Sequence, residues 1–190
     1  MKIGIIGAGK VGSVLGKRLA EKGYNINFGV RDVLKYAYLR SINNIEILDI
    51  NSISKSNDIL ILTVPGRVAE EVLLSLGNLK GKTILDATNM AGMKNFMEKI
   101  PEANFVKVFN TIGYNIMENA KFGDLSADSF ICGDDKKAID IASQISIDLD
   151  FNPVIVGDSS FSGDLENLAL LWIKMSRIIG RDFCFKMLKR

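Results

Sequence analysis

The chain has 190 residues, 47% of them apolar, and its 24 basic and 22 acidic residues leave a formal charge of +2. This composition predicts one folded domain with a sizeable core, and the near-balance of charge disfavours nucleic acid as a partner. The complete absence of histidine excludes a histidine-based catalytic triad, a histidine-ligated metal and a histidine general acid.

Cysteine usage and apolar runs indicate the compartment. Cys132 and Cys184 lie far apart and form no CxxC pair, which argues against a disulfide framework or a zinc site. The apolar start of the chain breaks at once into glycines, and no run reaches the ~18 apolar residues of a membrane helix. We therefore expect a cytoplasmic protein that has no membrane partner and binds no metal.

Strand-like and helix-like segments alternate from the first residue onward. The pattern predicts strands at 2–6, 25–29, 45–48, 58–64, 83–86, 105–109, 129–132 and 153–156. It predicts helices at 12–22, 67–75, 136–147, 165–179 and 182–188. This order predicts an α/β, Rossmann-like, doubly wound and mostly parallel sheet with added C-terminal strands and helices. We expect one domain over residues 1–190, with a helical extension from about residue 160.

A glycine-rich loop follows the first predicted strand and opens the first predicted helix. Its glycines are spaced as GxGxxG, a pattern whose meaning depends on this strand–loop–helix context. The first glycine permits a tight turn, the second lets a pyrophosphate approach the backbone, and the third lets the helix pack on the strand. The free N–H groups of the helix N-terminus then attract phosphate. We therefore predict a dinucleotide site at Gly7, Ala8, Gly9, Lys10, Val11 and Gly12.

The end of the second predicted strand indicates which dinucleotide binds. An NAD site places a carboxylate at this strand end, but here the chain has Val30, followed by Arg31 and, a little further on, Lys35. Arginine suits the oxygens of a 2′-phosphate, so the sequence favours NADP over NAD. Asp32 has two interpretations: it contacts a ribose hydroxyl, or it caps the next helix.

Three later strand ends are polar and should meet at one edge of the sheet. In this architecture ligands bind beyond the carboxyl ends of the strands, near the point where the strand order reverses. We therefore predict that Thr63, Val64, Pro65 and Asn89 border the nicotinamide, and that Asn110, Thr111 and Ile112 border a second substrate. No residue is predicted to act as a catalytic acid or base.

Several segments together resemble the F420-dependent NADP reductase family. They are residues 2–9, 29–31, 86–89, 106–113, 131–135 and 165–169, and they extend over nearly the whole chain. The resemblance implies hydride transfer between NADP(H) and the deazaflavin coenzyme F420, with Arg31 and Lys35 at the 2′-phosphate. It implies that Val64 and Pro65 lie on the nicotinamide side, and that Asn110 and Thr111 border the acceptor.

The chain departs from this family pattern in two places. Val30 stands where a small hydroxyl residue often adds a hydrogen bond, and the stretch between Asn89 and Phe105 is shorter than in many relatives. The acceptor therefore stays open between F420, a flavin and another planar molecule. Alternative functions are an NADPH-dependent flavin, ferric or imine reductase, and a redox sensor that binds NADP(H) without turnover.

An apolar stripe on the last long helix predicts self-association. Leu168, Leu171, Trp172 and Met175 recur at helical spacing and offer more apolar surface than a lone cap needs. We therefore expect a homodimer.

Overall fold

Strands and helices alternate along the whole chain in the computed structural model, which describes residues 1–190. The strands are β1 (Lys2–Ile6), β2 (Asn25–Val30), β3 (Ile45–Asp49), β4 (Ile59–Leu62), β5 (Thr83–Asp86), β6 (Asn104–Lys107), β7 (Lys121–Phe122), β8 (Leu125–Ser126), β9 (Asp128–Gly133) and β10 (Asn152–Gly157). The α-helices are α1 (Lys10–Glu21), α2 (Ile53–Ser56), α3 (Gly66–Ser75), α4 (Met93–Lys99), α5 (Tyr114–Glu118), α6 (Lys136–Asp148) and α7 (Ser162–Ile179). Short 3₁₀ helices span Ala37–Ser41, Ile50–Ser52 and Ser159–Phe161.

Eight of the strands form one sheet, in the order β10-β9-β6-β5-β4-β1-β2-β3. All neighbours are parallel except β6 and β9, which are antiparallel. The carboxyl ends of β1, β2, β4, β5 and β6 therefore lie along one edge, and the strand order reverses between β1 and β4. The predicted Rossmann-like, mostly parallel α/β fold is confirmed.

The central strands are buried on both faces. Along β4, Ile59 and Ile61 belong to one apolar cluster, whereas Leu60 and Leu62 belong to the other. A strand covered by helices on both sides carries a continuous apolar run, because each of its faces contacts a core. This explains why the sequence of β4 shows no polar alternation.

A buried amide pair fixes the register of β2. Asn27 is buried in that strand, and its Nδ2 donates to Asn57 Oδ1 at 3.2 Å. Asn57 Nδ2 donates in turn to the Ile53 carbonyl at 2.8 Å. A slip of one residue would turn Asn27 to the opposite face of the sheet and leave its amide without this partner.

The predicted helix at 182–188 is wrong. Gly180, at φ +85°, ends α7, and the chain then continues without helical structure. Its backbone forms hydrogen bonds with other parts of the molecule instead. The Phe183 carbonyl accepts a hydrogen bond from Trp172 Nε1 at 3.1 Å, and the Phe185 carbonyl accepts one from the Asp128 N–H at 3.4 Å. These hydrogen bonds to distant residues replace those of a local helix. We call residues 181–187 the C-terminal tail.

Two predicted strands end earlier than expected, and several short elements were not predicted. The strand predicted at 58–64 ends at Leu62, and the one predicted at 105–109 ends at Lys107, because Phe109 has a positive φ of 67°. Helices α2, α4 and α5 and the β7–β8 hairpin are too short to produce a clear periodic pattern.

The apolar residues exposed on the outer face of α7 are not all those of the predicted stripe. Trp172 is buried within its own chain and stacks on Phe183 of the C-terminal tail at 5.2 Å. Leu171, Ile178 and Ile179 remain exposed. The homodimer stays a prediction. No helix of the protein has the length and apolar character needed to cross a membrane.

Arg18 connects α1 to two distant segments of the chain. Its Nη1 donates to the Met117 and Leu149 carbonyls at 3.0 and 2.8 Å, and its Nη2 donates to the Asp150 carboxylate at 2.6 Å. Tyr24, just beyond α1, donates its hydroxyl to Asp148. Burial, together with this carboxylate, raises the pKa of Tyr24 to about 12, so the donor stays protonated.

Replacing Arg18 tests this connection. Arg18→Ala removes three charge-assisted hydrogen bonds, and we expect it to lower the free energy of unfolding by at least about 2 kcal/mol. The measurement is urea denaturation followed by circular dichroism. The control is Lys17→Ala on the same helix, which makes no side-chain hydrogen bond or ion pair. Equal denaturation midpoints for the two variants would contradict the expectation.

Candidate functional site

The glycine loop is a tight turn held from both sides. Gly7 has φ +99°, and its N–H donates to the Gly29 carbonyl on β2 at 3.0 Å. Just beyond β4, the Thr63 hydroxyl lies 3.0 Å from the carbonyl oxygens of both Ile6 and Gly7. A Cβ at Gly12 would clash with the Gly7 carbonyl and lie 2.6 Å from Thr63 Oγ1. The third glycine of the motif therefore lets α1 start directly against this loop.

The N-terminus of α1 is uncapped and open. Gly9 occupies the N-cap position without a side-chain hydrogen bond, and the first turn carries no acidic residue. A Cβ built on Gly9 would meet nothing within 4 Å. Free N–H donors, a positive helix end and open space are the features that hold a phosphate group. The loop therefore fits the pyrophosphate of a dinucleotide.

A cavity of about 340 Å³ extends from this loop along the carboxyl edge of the sheet. It brings together most of the predicted cofactor residues, namely Gly7, Ala8, Gly9, Val30, Arg31, Lys35, Thr63, Val64 and Pro65. Lys10, Val11 and Gly12 form the first turn of α1 next to it. Sequence reasoning missed further lining residues: Gly29, Tyr36, Ile50, Val68 and Val72. Of these, only Val68 and Val72 had a local signal, their i,i+4 spacing on α3.

Two cations lie at the β2 end of the cavity without acidic partners. Neither Arg31 nor Lys35 takes part in any of the ion pairs of the protein. Asp32, between them, accepts a hydrogen bond from the Lys35 N–H at 3.0 Å. Asp32 thus caps a turn rather than the predicted helix, and the unpaired guanidinium and ammonium groups suit a phosphate.

The residues predicted to border the second substrate are buried. Asn110 Nδ2 donates to Asn89 Oδ1 at 3.2 Å and to the Leu165 carbonyl at 3.0 Å, and Asn89 Nδ2 donates back to the Asn110 carbonyl. Neither Asn89 nor Asn110, Thr111 or Ile112 lines the cavity. The amides instead join the loops that follow β5 and β6 to α7. Asn110 Oδ1 and Thr111 Oγ1 have no partner.

A buried ammonium group lies just below these loops. Lys107, with a fully buried side chain, is 2.9 Å from Asp86 Oδ2 and 2.7 Å from Glu166 Oε1. Asp86 also accepts from the Thr88 N–H and hydroxyl, and Glu166 accepts from the Gly92 N–H. This cluster connects the ends of β5 and β6 to α4 and α7. No local pattern in the sequence indicates it.

Cys132 on β9 pairs with Lys107 of this cluster on β6. Burial raises the pKa of the Cys132 thiol to about 11, so it is not a thiolate at neutral pH. No group of three or more cysteine or acidic residues is arranged to hold a metal ion. The arrangement is suited to binding and orienting, with chemistry supplied by a bound cofactor.

The fold and the open glycine loop define a Rossmann-like protein of the dinucleotide-binding class. Residues 2–90 match the family described as NADP oxidoreductase, coenzyme F420-dependent. The resemblance to the F420-dependent NADP reductase family is thus confirmed, and this match lies on the part of the chain that forms the glycine loop and cavity.

Solved structures confirm the fold over the full length. A protein from Arthrobacter sp. FB24, described as a candidate F420-dependent NADP reductase, aligns over 100% of both chains with a TM-score of 0.88 at 23% identity. A hypothetical protein from Sinorhizobium meliloti aligns over 86% of this chain and 88% of its own, with a TM-score of 0.72 at 24% identity. A reductive aminase from Aspergillus terreus aligns over 93% of this chain with a TM-score of 0.74 at 17% identity, and this chain covers 60% of the aminase.

Removing the buried ammonium should destabilise the protein strongly. Lys107→Met leaves Asp86 buried without its partner, and we expect a loss of about 3–5 kcal/mol in the free energy of unfolding. The matched control is Lys99→Met, which breaks an exposed pair with Glu70 and should cost at most about 1 kcal/mol. Urea denaturation of both variants measures the difference, and similar losses would show that the buried cluster contributes little.

Proposed function

We propose that the protein transfers hydride between NADP(H) and a planar two-electron acceptor, either coenzyme F420 or a related flavin. The observation that carries this proposal is the continuity of the uncapped glycine loop with a cavity that ends at Arg31 and Lys35. A pyrophosphate at one end and a 2′-phosphate at the other are the two anionic groups of NADP(H). The family match over residues 2–90 supports the same cofactor.

Each part of the cavity has a proposed role in binding. The backbone N–H groups of the loop and first helical turn, at Gly7, Ala8, Gly9, Lys10, Val11 and Gly12, hold the pyrophosphate. Val30, Arg31 and Lys35 surround the 2′-phosphate. Thr63, Val64 and Pro65, which follow β4, border the nicotinamide side. Thr63 acts mainly through the loop, because its hydroxyl contacts the Ile6 and Gly7 carbonyls.

The chain's own contribution to the reaction is orientation. NADPH, when bound, supplies a hydride from its nicotinamide ring. The protein positions the cofactor against the loop and the end of β4, and this placement of reactants is a recognised source of rate enhancement. Hydride transfer to a deazaflavin or flavin needs no histidine, which agrees with the composition.

Asn89, Asn110, Thr111 and Ile112 act in this proposal as supports for the acceptor side. Asn89 and Asn110 bond to each other across the loops that follow β5 and β6, and Asn110 also bonds to α7. They keep these two loops at a fixed separation beyond the nicotinamide end.

Reduction of an imine is a second candidate function. The Aspergillus terreus reductive aminase was solved with NADPH4, cyclohexanone and allyl amine, and it shares the fold of this chain. The chain spans 60% of the length of that enzyme, whereas it spans the whole length of the Arthrobacter protein. The full-length match favours F420 or a flavin as the acceptor.

Arg31 should decide the preference between the two dinucleotides. Arg31→Ala removes a charge-assisted contact to the 2′-phosphate, so we expect the Kd of NADPH to rise about tenfold to a hundredfold. The Kd of NADH should stay within a factor of two. Isothermal titration calorimetry measures both constants, with the exposed Arg177→Ala as a control. An unchanged ratio of NADPH to NADH affinity would refute the assignment of Arg31.

A panel of acceptors tests the reaction. We expect oxidation of NADPH, followed at 340 nm, when F420 or a flavin is present. Cyclic imines and ferric chelates are tested in parallel, with calorimetric binding of NADPH measured on the same preparation. Turnover with imines alone would replace the proposed acceptor by the second candidate. Tight NADPH binding with no turnover for any acceptor would indicate a redox sensor.

A further inference from the structure

Two cations share one aromatic ring beside the glycine loop. Lys10 Nζ lies 5.1 Å from the centre of the Tyr114 ring, and the Arg181 guanidinium carbon lies 5.4 Å from the same centre. The guanidinium also lies 5.5 Å from the centre of the Trp172 ring. Lys10 begins α1, Tyr114 begins α5, and Arg181 belongs to the C-terminal tail, so three separate parts of the chain converge here.

No acidic side chain balances these two charges. Neither Lys10 nor Arg181 has a carboxylate within ion-pair distance. Each cation is attracted by the face of the ring, but two like charges brought to one ring also repel each other. An anionic group that contacts either side chain would offset this repulsion and accept charge-assisted hydrogen bonds.

Arg181 is held in place by its backbone. Its carbonyl accepts a hydrogen bond from Asn115 Nδ2 at 2.7 Å, and two residues further on the Phe183 carbonyl accepts from Trp172 Nε1. Phe183 stacks on Trp172, which is buried. The backbone of Arg181 is thus fixed, and the Tyr114 and Trp172 rings hold its guanidinium before any ligand arrives, which lowers the entropic cost of binding.

The pair lies on the acceptor side of the glycine loop. Tyr114 follows β6, whereas Arg31 follows β2, and β1 with its glycine loop lies between these strands in the sheet. With strands about 4.8 Å apart, β2 and β6 are separated by roughly 19 Å. Neither Tyr114 nor Arg181 lines the cavity that holds Arg31. This second pair of cations is therefore separate from the proposed 2′-phosphate site.

We propose that Lys10 and Arg181 bind an anionic group, a phosphate or a carboxylate, carried by the electron acceptor. This inference rests on the proposed function and specifies its substrate class: a planar acceptor with an anionic side chain. The acceptor ring lies toward the nicotinamide, and its side chain extends over Tyr114. A neutral acceptor with the same ring lacks this contact.

FMN and riboflavin provide a matched pair of probes, since they share one ring system and differ by one phosphate. Their Kd values are measured by calorimetry on protein saturated with NADP⁺, a condition in which no hydride can be transferred. Trp172, the single tryptophan, provides an independent fluorescence signal next to Arg181. We expect FMN to bind at least about tenfold more tightly than riboflavin.

Arg181→Ala should reduce FMN affinity to the level of riboflavin, leaving the affinities for riboflavin and NADP⁺ unchanged. Lys189→Ala, which removes an exposed charge further along the chain, should leave all three unchanged. Equal affinities for FMN and riboflavin in the unmodified protein, or no binding of either, would overturn the proposal. So would a parallel loss of NADP⁺ affinity in Arg181→Ala. NADPH oxidation with a neutral acceptor would then show that the proposed function survives without this site.

Discussion

The buried ammonium of Lys107 is the interaction on which the arrangement of the loops beyond β5 and β6 depends. An ammonium group without water is costly unless carboxylates and further hydrogen bonds surround it. Asp86 and Glu166 supply the charges, and Thr88 and Gly92 supply further donors to those carboxylates. Any rearrangement of α7 relative to β5 and β6 would separate Glu166 from Lys107 and leave the buried ammonium with one carboxylate fewer. The cluster therefore keeps the two loops beyond these strands in one arrangement.

The glycine loop, in contrast, is held by close packing and not by charge. Thr63 and Gly12 both lie against the Gly7 carbonyl, so β4, the loop and α1 share one point of close contact. Side-chain freedom is absent there, and the donors at the start of α1 keep a fixed direction. A rigid loop beside exposed, unpaired cations is suited to binding an anion without rearrangement of the surrounding core.

Sequence reasoning located the loop, the cation pair at the end of β2 and most strands, because these depend on neighbouring residues. The glycine spacing and the apolar run of β4 are local patterns. The Lys107 cluster joins residues 21 and 59 positions apart, and nothing in their local sequence indicates the pairing. The helix predicted at residues 182–188 is wrong for a related reason. Its local sequence is compatible with a helix, but backbone carbonyls of this segment accept hydrogen bonds from Trp172 and Asp128, which lie elsewhere in the chain. Asn110 lies just beyond β6, where a polar residue was expected to border a substrate. Its amide instead donates hydrogen bonds to Asn89 and Leu165 within the protein.

The amide pair between Asn27 and Asn57 fixes the position of β2 independently of the polar residues that follow the strand. Because this pair fixes the register of β2, Arg31 and Asp32 after the strand can vary without disturbing the pairing with β1 or β3. Arg31 and Asp32 are exposed and contribute little to the core. Under the proposed function, substitutions at these surface positions would change the dinucleotide preference at small cost to the stability of the fold. In that proposal, the preference between NADP and NAD depends on replaceable surface side chains. The place of those side chains, at the end of β2, is set by the buried register of the sheet.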